Sequence, residues 1–519
     1  MRQSFYLVIP KQQVDAQRLK QFDAKILEQW LAELPIANPS LAARLFYDYL
    51  TDFNAVKMPA QIRLDALEQL RPSSVAIEDY LRSLIMRTGF PKIDQDKRLL
   101  NQLVALQKQI TLSYWMTLKE LTKNDSAWFQ GKNTALAIQR CIKGLSGIIS
   151  SYLMMGMPVP DWIWMDLHSL YKHSVKIKKN ATQVICNPSN GVNKTSSPED
   201  SYIQILLLSL SNTSGLMQKE IKLVYDFIDT VRQYVSLKQK PVTGQLVQCV
   251  VLTDEDKPPC FRTGDENQED SDSPELYLDI TKLLQALDKL GADVNLSEAR
   301  FTTMYADVRL AEKPTTELLS YLKQRWLGEP LESTPLFEDR LDRYLAIGLT
   351  STFKLQKALD VHEEPLEFLA HSASSRLLSC VFNTAGLLSV GSLVSFRRID
   401  MPEHKRTIGI VDVLTVEKEE GKISFGVRLL AYESVAVTYL PLNSPRNEHP
   451  KPALFYSTDS QKKKNYIIID TVILNEDDVV RLFVNQKDFL IMLKNKRNIG
   501  LGYWRFECLK ITKKDNRHN

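Results

Sequence analysis

Two arginines, Arg340 and Arg343, lie three positions apart in the stretch "FEDRLDRYLAIGL" (337–349). There a proline-containing linker gives way to a strand-like run that ends at Gly348. A guanidinium is a planar fork of donors that grips phosphate oxygens in pairs and stacks on guanine faces. One chemistry open to the pair is therefore retention of an anion. The other is solvation, since charged residues at a strand edge discourage pairing with a second sheet.

The chain holds no G-x-x-x-x-G-K-[ST], no G-x-S-x-G, no H-E-x-x-H and no Gly-rich turn after a strand. Seven histidines are present, and the five-residue step from His168 to His173 does not align them on a helix face. Asp226 and Asp229 fall on an expected helix surface, where carboxylates are ordinarily solvated. Six cysteines, at 141, 186, 249, 260, 380 and 508, include no C-x-x-C pair. They read as free thiols in a reducing compartment rather than as zinc ligands. The residues thus give no catalytic constellation, no metal site and no cofactor, and the chain is expected not to be an enzyme.

The elements that must position the arginines fall into blocks. The 519 residues exceed one ordinary core. Residues 1–177 read as a helical domain: "AARLFYDYLTDFN" (42–54) makes an apolar face of Leu45, Phe46, Tyr49, Leu50 and Phe53 after an Asn38–Pro39 start. The segment 59–72 opens and closes on proline, and 94–121 is a long amphipathic helix. A polar loop at 178–200 leads to a second, mainly helical domain at 199–328, with a short strand pair and a mobile acidic loop at 254–275. From 336 the apolar period becomes two. Residues 336–440 are expected to form a small antiparallel β-barrel, and 450–512 a C-terminal β module that is either its own barrel or the completion of the first. The fold class is α+β and multidomain, with helices first and barrels last.

Charge and hydropathy narrow the partners. A formal charge of +4 does not point to a chain coated by nucleic acid. The basic C-terminus carries Tyr503, Trp504 and Phe506, but these lie in an apparent strand, so nucleic-acid binding is not expected. Neither "YIQILLLSL" (202–210) nor the region 144–157 supplies about 20 uninterrupted apolar residues. The N-terminus has no signal-peptide pattern. A cytoplasmic protein without a membrane span is the expectation.

The order of the C-terminal segments resembles the PilZ domain, a small bacterial β-barrel that receives cyclic di-GMP. The resemblance rests on the arginine pair before the first strand and on Asn383, Thr384, Ala385 and Gly386. It rests also on the strand pattern Gly409, Ile410, Val411 with Gly426, Val427, Leu429 and Leu430. Residues 34–72, with "VVLTDEDKPP" and "LYLDITKLL", are similar to long proteobacterial proteins in which a large helical region precedes such a barrel. The resemblance implies a cyclic di-GMP site at Arg340, Arg343, Asn383, Ala385 and Gly386. Guanidiniums would hold phosphates, and a short polar side chain beside small residues would let a base edge approach the backbone. Both motifs depart from the family pattern. The arginines are one residue too close for R-x-x-x-R, Ala385 replaces a serine, and Leu388 stands where a glycine is expected. Two functions follow: a cyclic di-GMP-binding effector acting through protein contacts of its helical region, or a PilZ-like scaffold or adaptor that binds no nucleotide. Either implies a protein partner that the sequence does not identify.

Overall fold

The structure is a computed structural model, which describes residues 6–123, 131–187, 194–263, 275–293, 314–336, 338–358, 367–442, 445, 448–458, 464–471, 473–484 and 487–511. Its first part is helical: α1 (Ala16–Lys20), α2 (Ala24–Glu33), α3 (Pro39–Ala55), α4 (Ala60–Ile85), α5 (Asp94–Leu121), α6 (Gly131–Met154) and α7 (Ile163–Lys176). The Asn38 side chain accepts from the Leu41 N–H at 3.3 Å, and Pro39 opens α3 where a missing N–H costs nothing. Phe46, Leu50 and Phe53 face the core, while Leu45 of the expected stripe is exposed.

α5 matches the expected helix end to end, but it is amphipathic only at first. From Ile110 to Leu118 every residue is buried. Thr111, Ser113 and Thr117 enter the core by donating their hydroxyls to carbonyls one turn back, at 2.6 to 3.0 Å. The proline expected to close the preceding helix does not end it, since α4 runs through Pro72 to Ile85. Pro72 lies on the exposed face, while Leu64, Leu67, Leu70, Ile77 and Leu81 hold both halves in one core. Tertiary burial outweighs the local break.

The break at 178–200 contains a hairpin of β1 (Val184–Asn187) and β2 (Lys194–Ser196). Arginines from the helices hold it: Arg140 donates to Ile185 O at 2.8 Å, Arg71 to Cys186 O, and Arg232 to Thr195 O at 3.0 Å. Beyond it come α8 (Pro198–Leu210), α9 (Gln218–Val231), β3 (Ser236–Lys238), β4 (Val247–Leu252), β5 (Cys260–Thr263), β6 (Glu275–Asp279), α10 (Thr281–Asp293) and α11 (Thr316–Trp326). α8, the most apolar run, is buried on all sides from Tyr202 to Leu208. Among the described residues no helix is long and apolar enough to cross a membrane.

The expected strand pair is a four-stranded antiparallel sheet in the order β3-β6-β4-β5. Its two outer strands come from polar stretches with little β signal. The front of the expected mobile acidic loop is fixed. Asp256 accepts the N–H groups of Trp162 and Met165 at the start of α7, where a carboxylate meets the positive end of the helix dipole, and Asp254 pairs with Lys172. Residues 264–274 lie outside the described residues. One continuous apolar cluster runs from Leu7 to Trp326, so both helical segments share a core.

Two closed six-stranded barrels follow. The first joins β7 (Arg343–Ile347), β8 (Phe368–Ser372), β9 (Leu377–Val381), β10 (Leu393–Arg398), β11 (Thr407–Val416) and β12 (Lys422–Ala431), in the order β10-β11-β12-β9-β8-β7. The helix α12 (Leu349–Gln356) leaves it after β7. The second joins β13 (Val435–Pro441), β14 (Lys451–Ser457), β15 (Asn465–Ile469), β16 (Val479–Val484), β17 (Lys487–Gly500) and β18 (Tyr503–Lys510). Residues 450–511 therefore do not complete the first barrel. They close their own with the strand Val435–Pro441, which pairs with β14 and β16. The barrels share an apolar cluster of Leu393, Ile408, Ile410, Leu454, Ile468 and Ile499, and Leu501 N–H donates to Gly391 O at 2.8 Å.

Candidate nucleotide site on the first barrel

Arg343 and Arg340 differ in kind. Arg343 begins β7, opposite Arg398 on β10 and Ala370 on β8. Its side chain is buried, and its guanidinium donates to Leu341 O, Ser372 Oγ and Asp339 Oδ1, each at 2.6 Å. It locks the turn 339–343 to the end of β8, and its hydrogen bond holds the Asp339 carboxyl below the usual carboxylate range. Arg340 points into solvent and makes no ion pair among the described residues. The two arginines thus divide the roles of holding the turn and presenting a cation.

Asn383, Ala385 and Gly386 lie on the loop between β9 and β10. Asn383 is exposed, and Gly386 takes φ = +77°, a backbone conformation that favours glycine. β7 and β10 run antiparallel, with Arg343 opposite Arg398 and Ile347 opposite Val394. The Asn383–Gly386 loop precedes Leu393, so it lies at the far end of β7 from Arg340. The strand between them spans about 13 Å. The structure brings Asn383, Ala385 and Gly386 together and leaves the arginines at the other end of the barrel.

That loop is occupied by the protein itself. Gly386 N–H donates to Pro91 O at 2.9 Å, Leu388 N–H to Phe90 O at 2.9 Å, and Phe90 N–H to Leu388 O at 2.7 Å. The partner segment joins α4 to α5. Phe90 and Met217, both from the helical region, are buried in the core of the first barrel. The approach needs Gly89, because a Cβ there would stand 2.7 Å from Leu388 O. A cavity of about 420 Å³ borders the junction, lined by Phe90, Met154, Met217, Val390 and Val416 among others.

At the arginine end, three further cations escaped the sequence reading. Glu367 receives Arg397 through two hydrogen bonds, at 2.8 and 3.0 Å, and also accepts from the fully buried Arg406. Burial pushes the Glu367 carboxyl up, but the two guanidiniums outweigh it and leave the pKa below the ordinary value. Arg397 also stacks over Tyr344 at 4.6 Å, and Arg398 forks onto Asp400. Only the "FRR" run at 396–398 hinted at this cluster. Its partner Glu367 lies in another strand register, which local periodicity does not reveal.

With this geometry the class of protein is defined. It is an α+β protein in which a long helical region precedes two closed six-stranded C-terminal barrels. Residues 25–241 match the family model described as the cyclic-di-GMP receptor FimW, N-terminal domain. Among curated proteins the chain is similar to the cyclic-di-GMP receptor FimW of Pseudomonas aeruginosa, 25% identical over 318 residues. That match covers 60% of this chain and 49% of the relative, so the chain spans about half the length of the curated protein it matches. No solved structure matches the chain.

Proposed function

We propose that this chain is a cytoplasmic cyclic di-GMP-responsive regulator that performs no catalysis and acts on a protein partner through its helical region. The observation that carries the reading is the pairing of the barrel loop at Gly386–Leu388 with Phe90–Pro91. The loop that bears the family's second ligand motif is the one that touches the helices. A ligand on it favours one arrangement of barrel and helices only if it contacts the two arrangements differently. In this reading Arg340 grips phosphate, Asn383 reads a base edge, Ala385 and Gly386 leave room for the base, and Arg343 holds the turn. Engaging both ends of β7 requires segment 338–342 to exchange the hydrogen bonds of Arg343 for ligand contacts.

The test is calorimetric titration of the full chain with cyclic di-GMP, with GTP as control. Saturable heat that is lost in Arg340→Ala and in Asn383→Ala supports the reading. The second reading, a PilZ-like scaffold without nucleotide, is favoured by the saturated guanidinium of Arg343 and by the separation of the two motifs. An absence of heat from cyclic di-GMP selects it.

A further inference from the structure

The helical region holds a polar cavity that none of the roles above uses. It measures about 330 Å³, within the range of small-ligand pockets, and lies between α4, α6, α9 and the β1–β2 hairpin. All its lining residues fall inside the segment 25–241. Six cations line it: Arg71 and Arg82 from α4, Lys143 from α6, Lys194 from β2, Lys222 from α9, and Arg232 just after α9. Four carboxylates face them, Glu78, Asp79, Asp226 and Asp229. Six against four leaves an excess of two positive charges.

The excess has a location. Arg82 is matched by Glu78 and Asp79, and Lys222 by Asp226. Asp229 is shared by Lys194, Arg232 and Lys143, the last at 3.9 Å, and Lys143 also donates to the neutral Gln204 amide oxygen. Arg232 has a second, longer contact with Asp200 at 3.6 Å. Arg71 spends its hydrogen bond on Cys186 O, a neutral carbonyl. The Ser150 hydroxyl also lines the cavity. It is buried and has no hydrogen-bond partner, an arrangement that costs free energy unless something fills it. Gly147, one turn before Ser150, keeps the wall open, since a Cβ there would come within 3.1 Å of Gln107 and 3.6 Å of Arg82. Glycine inside a helix is otherwise unfavourable by about 1 kcal/mol.

We infer that this cavity binds a small phosphate-bearing dianion, held by Lys143, Lys194, Arg71 and Arg232 and hydrogen-bonded by Ser150. The positive excess of the lining favours an anion, and a tetrahedral one offers an acceptor to the unpartnered Ser150 hydroxyl and further acceptors to the cations that share Asp229. Lys143 is consistent with a missing counter-charge. Burial, together with Arg232 and Lys194, pushes its pKa down to about 7. The inference does not depend on cyclic di-GMP binding to the barrel.

The experiment is a thermal-shift and calorimetric titration of the full chain with inorganic phosphate, sulfate and a nucleoside 5′-monophosphate, with sodium chloride as the ionic-strength control. The expected result is saturable stabilisation by phosphate and sulfate beyond that of chloride. Tighter binding of the nucleotide would name its phosphate as the source, and equal or weaker binding would name the free anion. Lys143→Met should weaken binding by about tenfold or more, the loss of one charge-assisted hydrogen bond. Lys194→Ala, at a half-exposed side chain, should weaken binding without disturbing the fold. Stabilisation no greater than chloride gives, or binding unchanged in both variants, would overturn the inference.

Discussion

Phe90 of the helical region and Leu388 of the first barrel exchange two main-chain hydrogen bonds, at 2.7 and 2.9 Å. This antiparallel bridge joins segments almost three hundred residues apart in sequence. It acts beside other contacts between the helices and the barrels, among them Met217 in the first barrel's core and the Lys97–Glu420 ion pair.

The bridge depends on Gly89. Gly89→Val would place a Cβ against Leu388 O, a backbone atom that cannot swing aside. The expected result is a loss of about 1–3 kcal/mol, typical of overpacking. The barrel should become cleavable from the helices by limited proteolysis while both keep their secondary structure by circular dichroism. A cleavage pattern like that of the parent would show that the bridge does not hold the two regions together.

The two arginines should separate cleanly in denaturant titrations. Arg343→Ala removes three hydrogen bonds, one of them the ion pair with Asp339, for an expected loss of about 1–3 kcal/mol. Arg340→Ala, at an exposed site, should change stability by less than about 0.5 kcal/mol. Equal effects would contradict the division of roles.

Acid should weaken the first barrel through Glu367. Its folded pKa lies below the ordinary 4.5, so its ionised form is favoured by folding. The contribution is present above the unfolded value and is lost as pH falls through the folded one. Melting temperature should therefore drop below about pH 4.5, and Glu367→Gln should flatten that drop while lowering stability at neutral pH.

His168 gives a second pH dependence, at higher pH. It is buried, with Nε2–H donating to Lys257 O at 3.0 Å and Nδ1 accepting from the Tyr202 hydroxyl at 2.6 Å. Burial pushes its pKa from 6.5 down to about 4, so folding favours the neutral ring. Its contribution is present above pH 6.5 and is lost between 6.5 and 4, by about 3 kcal/mol. His168→Phe should be less stable at pH 7 and should lose this slope between pH 6.5 and 4.5. A slope unchanged in the variant would assign it to other groups.

What the sequence made legible was local. The helix at 94–121 and the change from helical to strand period near 336 both follow from side-chain spacing. What it hid was decided across long distances. Val435–Pro441 alternates like any strand, and only the open edges of β14 and β16 assign it to the second barrel. Pro72 looks like a stop, and burial of residues on both sides overrides it. Arg340 and Arg343 look alike, yet Ser372, twenty-nine residues on, makes one structural and leaves the other free. The cavity cations at 71, 82, 143, 194, 222 and 232 have no spacing to betray them, because α4, α6, β2, α9 and the turn after α9 bring them together.

The most direct test of the central claim is amide hydrogen exchange of the full chain with and without cyclic di-GMP, with GTP as control. The account predicts altered protection in two places, the turn 338–343 and the paired segments 89–91 and 386–390, with cyclic di-GMP alone. Exchange that is identical with and without cyclic di-GMP, at saturating concentration, would contradict it and leave the barrel as a scaffold.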